Sequence, residues 1–126
     1  MSSLSVIEAK LEAESKSFQQ LQKELTQVIE NRQRLEAQQQ ENELVNTEFE
    51  HLDDDSNIYK LIGPVLVKQD KAEAATNVKN RLNLISSEIK RVETQLNELT
   101  KKTETKKQEI AQLQMQYQQL VAAAKK

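Results

Sequence analysis

The sequence has no cysteine and no tryptophan, and its 126 residues include a single glycine (Gly63), a single proline (Pro64) and a single histidine (His51). Each scarcity excludes something. Without cysteine there is no disulfide framework and no thiolate for a structural zinc site. With one glycine there is no Gly-rich phosphate-binding loop, which needs several residues free to adopt unusual backbone angles. Two tyrosines and two phenylalanines are too few to fill the core of a layered globular domain. No stretch approaches the roughly 20 consecutive apolar residues that span a bilayer. The segment Met1-Ser2-Ser3-Leu4-Ser5 has neither the basic segment nor the apolar run of a secretory signal. Lysine and arginine are interspersed with aspartate and glutamate to a formal net charge of -2, which leaves no basic face for a nucleic acid. These features predict a cytoplasmic chain with no membrane and no nucleic-acid partner.

Catalytic and metal chemistry also lack their parts. No serine or threonine has a base and an orienting group in a recognisable arrangement. His51 has neither a second histidine nor a cysteine to join it, so it reads as a surface residue. Asp53, Asp55 and Asn57 reproduce the first three ligand spacings of an EF-hand loop. However, the sixth position is Ile58 instead of glycine and the twelfth is Pro64 instead of glutamate. The chain is expected to be no enzyme, with no catalytic residue, no cofactor and no metal.

What the sequence does have is periodicity. In the C-terminal half, Val78, Leu82, Ile85, Ile89, Val92, Leu96 and Leu99 are followed by Thr103 and Lys106, then by Ile110, Leu113, Tyr117 and Leu120. Steps of three and four alternate throughout. This is a heptad seam with 82, 89, 96, 110 and 117 in one core class and 85, 92, 99, 113 and 120 in the other. Only Thr103 and Lys106 interrupt its apolar chemistry. The N-terminal half repeats the pattern with Leu4, Ile7, Leu11, Phe18, Leu21, Leu25, Val28 and Leu35. It then reads as a frame slip that resumes at Val45, Phe49 and Leu52, the signature of a stutter. Glu14, Arg32, Gln39 and Asn42 fall at or near seam positions. Arg32, Asn42, Thr103 and Lys106 read as ordinary tolerance in a long coil, the alternative being that they specify register or soften the helices so that they splay.

Boundaries follow from residues that satisfy free backbone groups. Ser5 with Glu8 fits a capping box for a first helix over about 5–52, and Asp70 with Glu73 fits one for a second over about 70–122. Asp53-Asp54-Asp55-Ser56-Asn57 ends the first helix, because carboxylates at a helix C-terminus oppose its dipole. Helices this long hold only if their seams are covered, and the nearest cover is the other helix of the same chain, folded back antiparallel. Such a pairing sets Phe49 near the start of the second seam and Leu4 near its end. The fold class is therefore mainly α, a long antiparallel two-helix coiled coil joined by one central β-hairpin, with 1–126 a single domain.

The joining segment, about 58–69, is the only one rich in β-branched residues. Gly63 suits the first central position of a type II′ turn and Pro64 the second, which pairs Ile62 with Val65 and Tyr59 with Lys68. Tyr59, Leu61 and Leu66 then share one face, and Ile58, Ile62, Val65 and Val67 share the other. A two-stranded ribbon that is apolar on both sides and open at both edges is marginal alone. Ile58, Tyr59, Leu61, Ile62, Gly63, Val65, Leu66 and Val67 are therefore expected to form an assembly element that other chains cover.

The string Ile58-Tyr59-Lys60-Leu61-Ile62-Gly63-Pro64-Val65-Leu66-Val67-Lys68-Gln69-Asp70 resembles the central hairpin of β-class subunits of the prefoldin family. The continuation through Glu73-Ala74, Val78, Arg81-Leu82, Ile85 and Glu88-Ile89-Lys90-Arg91 strengthens the likeness. The helix, hairpin, helix arrangement covers essentially the whole chain; the hairpin string is specific and the coiled-coil parts are generic. The resemblance implies a heterohexamer of two α-class and four β-class subunits whose hairpins join into β-barrel platforms. It further implies capture of non-native polypeptides, notably unfolded actin and tubulin, at coiled-coil tips. Clients then pass to the cytosolic group II chaperonin without nucleotide hydrolysis. In this sequence the tip is made of both chain ends, so Leu4, Ile7, Leu11, Tyr117, Leu120 and Val121 are the expected client contacts, with Val121 beyond the regular seam and accessible. For the others, the competing view is that they merely continue the coiled-coil core. The competing function is a structural coiled-coil adaptor or tether that homodimerises or docks on a fixed partner. Such an adaptor has no use for an apolar ribbon at its bend.

Overall fold

The structure, a computed structural model, describes residues 3–53 and 55–125. Its elements in order are α1 (Ser3–His51), β1 (Ile58–Ile62), β2 (Val65–Gln69) and α2 (Lys71–Ala124). The chain forms two compact units: one comprises the two chain ends, residues 1–30 and 93–126, and the other residues 31–92 with the hairpin.

The helix ends follow the capping logic in one place and depart from it in another. Asp70 precedes α2 and its carbonyl accepts the first helical bond, from the Ala74 amide at 2.9 Å, which makes it the N-cap with Glu73 in the first turn. α2 runs two residues past the expected end, to Ala124. Ser5, by contrast, is no cap: α1 is already running at Ser3. The physical reason lies at the next residue, because Leu4 is a half-buried seam position and the longer helix covers it. At the other end α1 stops at His51, where the Leu52 amide bonds to the Phe49 carbonyl at 3.3 Å in a tightened final turn. The Lys71 ammonium, at the start of α2, donates to the Leu52 carbonyl at 2.5 Å. A cation thus satisfies one of the carbonyls that a helix C-terminus leaves open. Of the acidic run expected to stop the helix, Asp53 and Asp55 lie beyond it; Asp54 lies outside the described residues.

In the hairpin unit the buried residues are apolar. Leu35 of α1 and Ala74, Val78 and Val92 of α2 are buried, Val92 to 2% exposure. Ala74 extends the α2 seam one step upstream of Val78. The α1 seam does not slip: its less exposed residues continue in steps of three and four through Arg32, Leu35, Gln39, Asn42, Asn46 and Phe49, while Val45 is exposed. The helix keeps its regular pitch and accepts Asn46 in the seam, since one polar residue at the edge of a core costs less than displacing every residue beyond it. The antiparallel arrangement brings the Gln39 amide to the Ser86 hydroxyl at 3.5 Å.

The end unit buries Val28 and Leu99. From those residues to the chain ends every described seam position is half-buried. Its polar seam positions meet partners of two kinds. The Thr103 hydroxyl donates to the Leu99 carbonyl one turn back, at 2.7 Å. The Lys106 ammonium meets the Glu14 carboxylate at 2.9 Å, and Glu109 at 3.5 Å.

Candidate functional site

Two surfaces have the chemistry of binding: the ribbon and the chain ends. The ribbon pairs antiparallel in the expected register, Ile62 with Val65, Leu61 with Leu66, and Tyr59 with Lys68. Gly63 has φ +57° and no other described residue takes a positive φ. Because proline holds the next φ negative, the turn is type II′, the kind whose twist matches a hairpin. A Cβ at Gly63 would meet nothing within 4 Å, so glycine is needed there for its backbone freedom and not for space.

The register puts large apolar side chains on both faces, and both faces are open. Leu61 is 67% exposed and Leu66 64% on one side; Tyr59, Ile62, Val65 and Val67 are exposed as well. Ile58, next to the helices, is half-buried. So large a share of contiguous exposed apolar surface marks an interaction site. The edges of β1 and β2 are unpaired among the described residues, the sheet having two strands.

At the chain ends, Leu4, Ile7, Leu11, Tyr117, Leu120 and Val121 fall in one unit and are all half-buried. Val121 differs from expectation. It is partly covered like Leu120, and accessibility beyond the seam begins at Ala122. Sequence periodicity missed two accessible apolar residues here, Val6 and Met115, the latter 62% exposed. Their signal was their position off the seam. An open groove of about 510 Å³ beside Phe18 and Ile110 adds to the reachable apolar surface.

The end unit also carries an ion pair in its seam. The Lys106 ammonium, hydrogen-bonded to Glu14, holds that carboxyl below its usual range, and Glu14 in turn raises the Lys106 amine above its own. Both side chains are about a quarter exposed.

Comparison with known proteins decides among the readings. The family profile described as Prefoldin subunit matches residues 12–120. The chain belongs to the prefoldin family. Prefoldin subunit 6 of Mus musculus is 45% identical over 118 residues, which cover 94% of this chain and 93% of that protein. Prefoldin subunit 6 of Arabidopsis thaliana is 40% identical, with 92% and 90% covered. That of Saccharomyces cerevisiae is 44% identical, with 76% and 84% covered. In three dimensions the prefoldin β subunit from Thermococcus strain KS-1 superposes with a TM-score of 0.74 over 80% of this chain and 89% of its own; at 24% identity it bears on the fold alone. As a prefoldin subunit of the β type, the chain is a co-chaperone component, and its partners include other prefoldin subunits. Among the described residues no helix is long and apolar enough to cross a membrane.

Proposed function

We propose that this chain is a non-enzymatic, cytoplasmic member of a heterohexamer of two α-class and four β-class prefoldin subunits, joined to its neighbours through the hairpin. Leu4, Ile7, Leu11, Tyr117, Leu120 and Val121, at the chain ends, contact non-native polypeptides of the actin and tubulin class, which pass to the group II chaperonin. The observation that carries the reading is the ribbon, whose two faces are both apolar and both open. Strands from neighbouring subunits would pair its edges and cover its faces together, removing two liabilities in one association.

The chain ends suit weak, adaptable contact. A partly covered seam already makes its own helix–helix contacts, so each apolar side chain offers a client only part of its area. Several such ends acting together raise avidity by about 100-fold to 10,000-fold while each contact stays weak enough to release. Neither step needs a nucleotide.

The test is native mass spectrometry of the chain co-expressed with α-class and β-class prefoldin subunits, with residues 58–69 intact or replaced by a Gly/Ser loop. A heterohexamer containing the intact chain and excluding the loop variant is expected; a homodimer indifferent to partners and to the loop would instead establish the adaptor. Truncating the first eleven residues and those after Gln116 is expected to weaken suppression of client aggregation and leave assembly intact. Undiminished suppression would remove the end residues from the client site.

A further inference from the structure

Beside the ribbon, the hairpin unit carries an open groove of about 190 Å³ between the strands and both helices. Its apolar lining includes Phe49 and Val45 of α1, Ile58 of β1 and Val78 of α2. Two charged side chains border it, Lys60 of β1 and Arg81 of α2, and both are cations. Both are exposed, and within the described residues neither has an ion-pair partner. At ~30 Å³ per water the groove holds about six waters, or one large apolar side chain in their place.

We infer that this shoulder groove docks a segment of a different prefoldin subunit, one that presents a large apolar side chain flanked by a carboxylate. The inference rests on the assembly reading above and deepens it by naming the chemistry of the partner. Charge supplies the choice of occupant. An incoming carboxylate meets two uncompensated cations beside an apolar floor, where desolvation strengthens the attraction. The ribbon of a second copy is a poor occupant, because residues 58–69 carry Lys60 and Lys68 and no acid. Copies brought ribbon to groove would set cation against cation, and copies paired in full antiparallel register along β1, whose middle residue is Lys60, would set Lys60 opposite Lys60. Charge at the groove and along β1 thus favours a hetero-partner over self-association through the ribbon.

The experiment compares the wild-type chain with Arg81→Glu, Arg81→Lys and the Gly/Ser hairpin replacement, each co-expressed with the other prefoldin subunits. Incorporation is read by native mass spectrometry over a series of NaCl concentrations, and circular dichroism reports folding. Arg81 lies on an exposed helix surface, so Arg81→Glu is expected to keep wild-type helicity. It is expected to enter the complex about tenfold or more less well and to lose most of the salt dependence that the wild type shows, while Arg81→Lys retains most of both. Loss of assembly with the Gly/Ser replacement, together with wild-type incorporation and salt dependence for Arg81→Glu, overturns the groove and leaves the hairpin reading standing. Full assembly of the Gly/Ser variant overturns the hairpin reading and the groove with it.

Discussion

The two units of this chain are built from the same heptad pattern and bury it differently. The hairpin unit buries Leu35, Ala74, Val78 and Val92, whereas the described residues of the end unit are buried only at Val28 and Leu99. The difference lies in which residues fill the pattern. Near the hairpin the α2 seam is aliphatic without a break and the polar seam residues stand on α1 alone, where Asn42 donates to the Gln38 carbonyl at 2.7 Å and Gln39 to the Ser86 hydroxyl. In the end unit polar residues stand on both helices, Thr103 and Lys106 on α2 and Glu14 on α1, and an ion pair holds a place where two leucines would exclude water. Regular spacing is enough to make two helices pair. How tightly they close depends on what stands at each position, and a loosely closed seam opens at lower free energy. The same chain therefore offers a firm base for assembly and ends whose apolar residues remain within reach.

The comparison can be broken where it is strongest. Val92→Ala removes two methyl groups from the most deeply covered side chain and is expected to cost about 2 kcal/mol. Thermal unfolding followed by circular dichroism would register that as a clear fall in melting temperature; Leu120→Ala, half-buried at the end, should move it by less than about a third as much. Equal effects would mean that the two units close alike. Next in size is Gly63→Ala, which forces an alanine to φ +57° at a strain of about 1–2 kcal/mol, with no packing change because the surroundings are empty. Its effect belongs in hexamer entry, and Gly63→Asn should recover part of the loss, since asparagine tolerates that conformation better. Lys71→Ala is expected to cost about 1 kcal/mol by freeing the Leu52 carbonyl, measured as faster hydrogen exchange at the end of α1.

The smallest effect concerns the ion pair. Glu14 is held below its ordinary value of 4.5, so its contribution is present above that pH and is lost as the pH falls through the lower folded value. Lys106 is held above 10.5, so its contribution is present below that pH and is lost as the pH rises through the higher folded value. The difference in melting temperature between the wild type and Glu14→Gln should accordingly stay constant from roughly pH 5 to 9 and shrink on further acidification. A difference that persists unchanged at pH 3 would detach the pair from the stability of the ends.

Much of this was legible in the residues. Period alone located both helices and every α2 seam position from Val78 to Leu120, and Gly63-Pro64 dictated the turn and so the register of all five cross-strand pairs. What escaped has a common cause: periodicity reports hydrophobic residues, not covered ones. Ala74 was overlooked because alanine is as much a helix former as a core residue. Val45 drew the α1 frame towards itself, while the regular helix carries Asn46 inward instead. Glu14 and Lys106 were each visible as interruptions, but their meeting depends on antiparallel register, which fixes cross-helix partners that no local pattern specifies. The open faces of the ribbon were foreseen from strand alternation; the groove beside it was not, because it is assembled from α1, β1, β2 and α2 together.

The open ribbon also sets a timetable. A hairpin of consecutive residues forms in about 1–10 μs, whereas subunits meet over milliseconds to minutes. For at least about a hundred times longer than it takes to form, Leu61 and Leu66 stand in water beside two unpaired strand edges, an invitation to indiscriminate sheet extension. The neighbouring Lys60 and Lys68 discourage like chains from accepting it. Production of this subunit thus has to keep step with that of its partners, and a cell that makes it in excess accumulates a species with a sticky end and no destination.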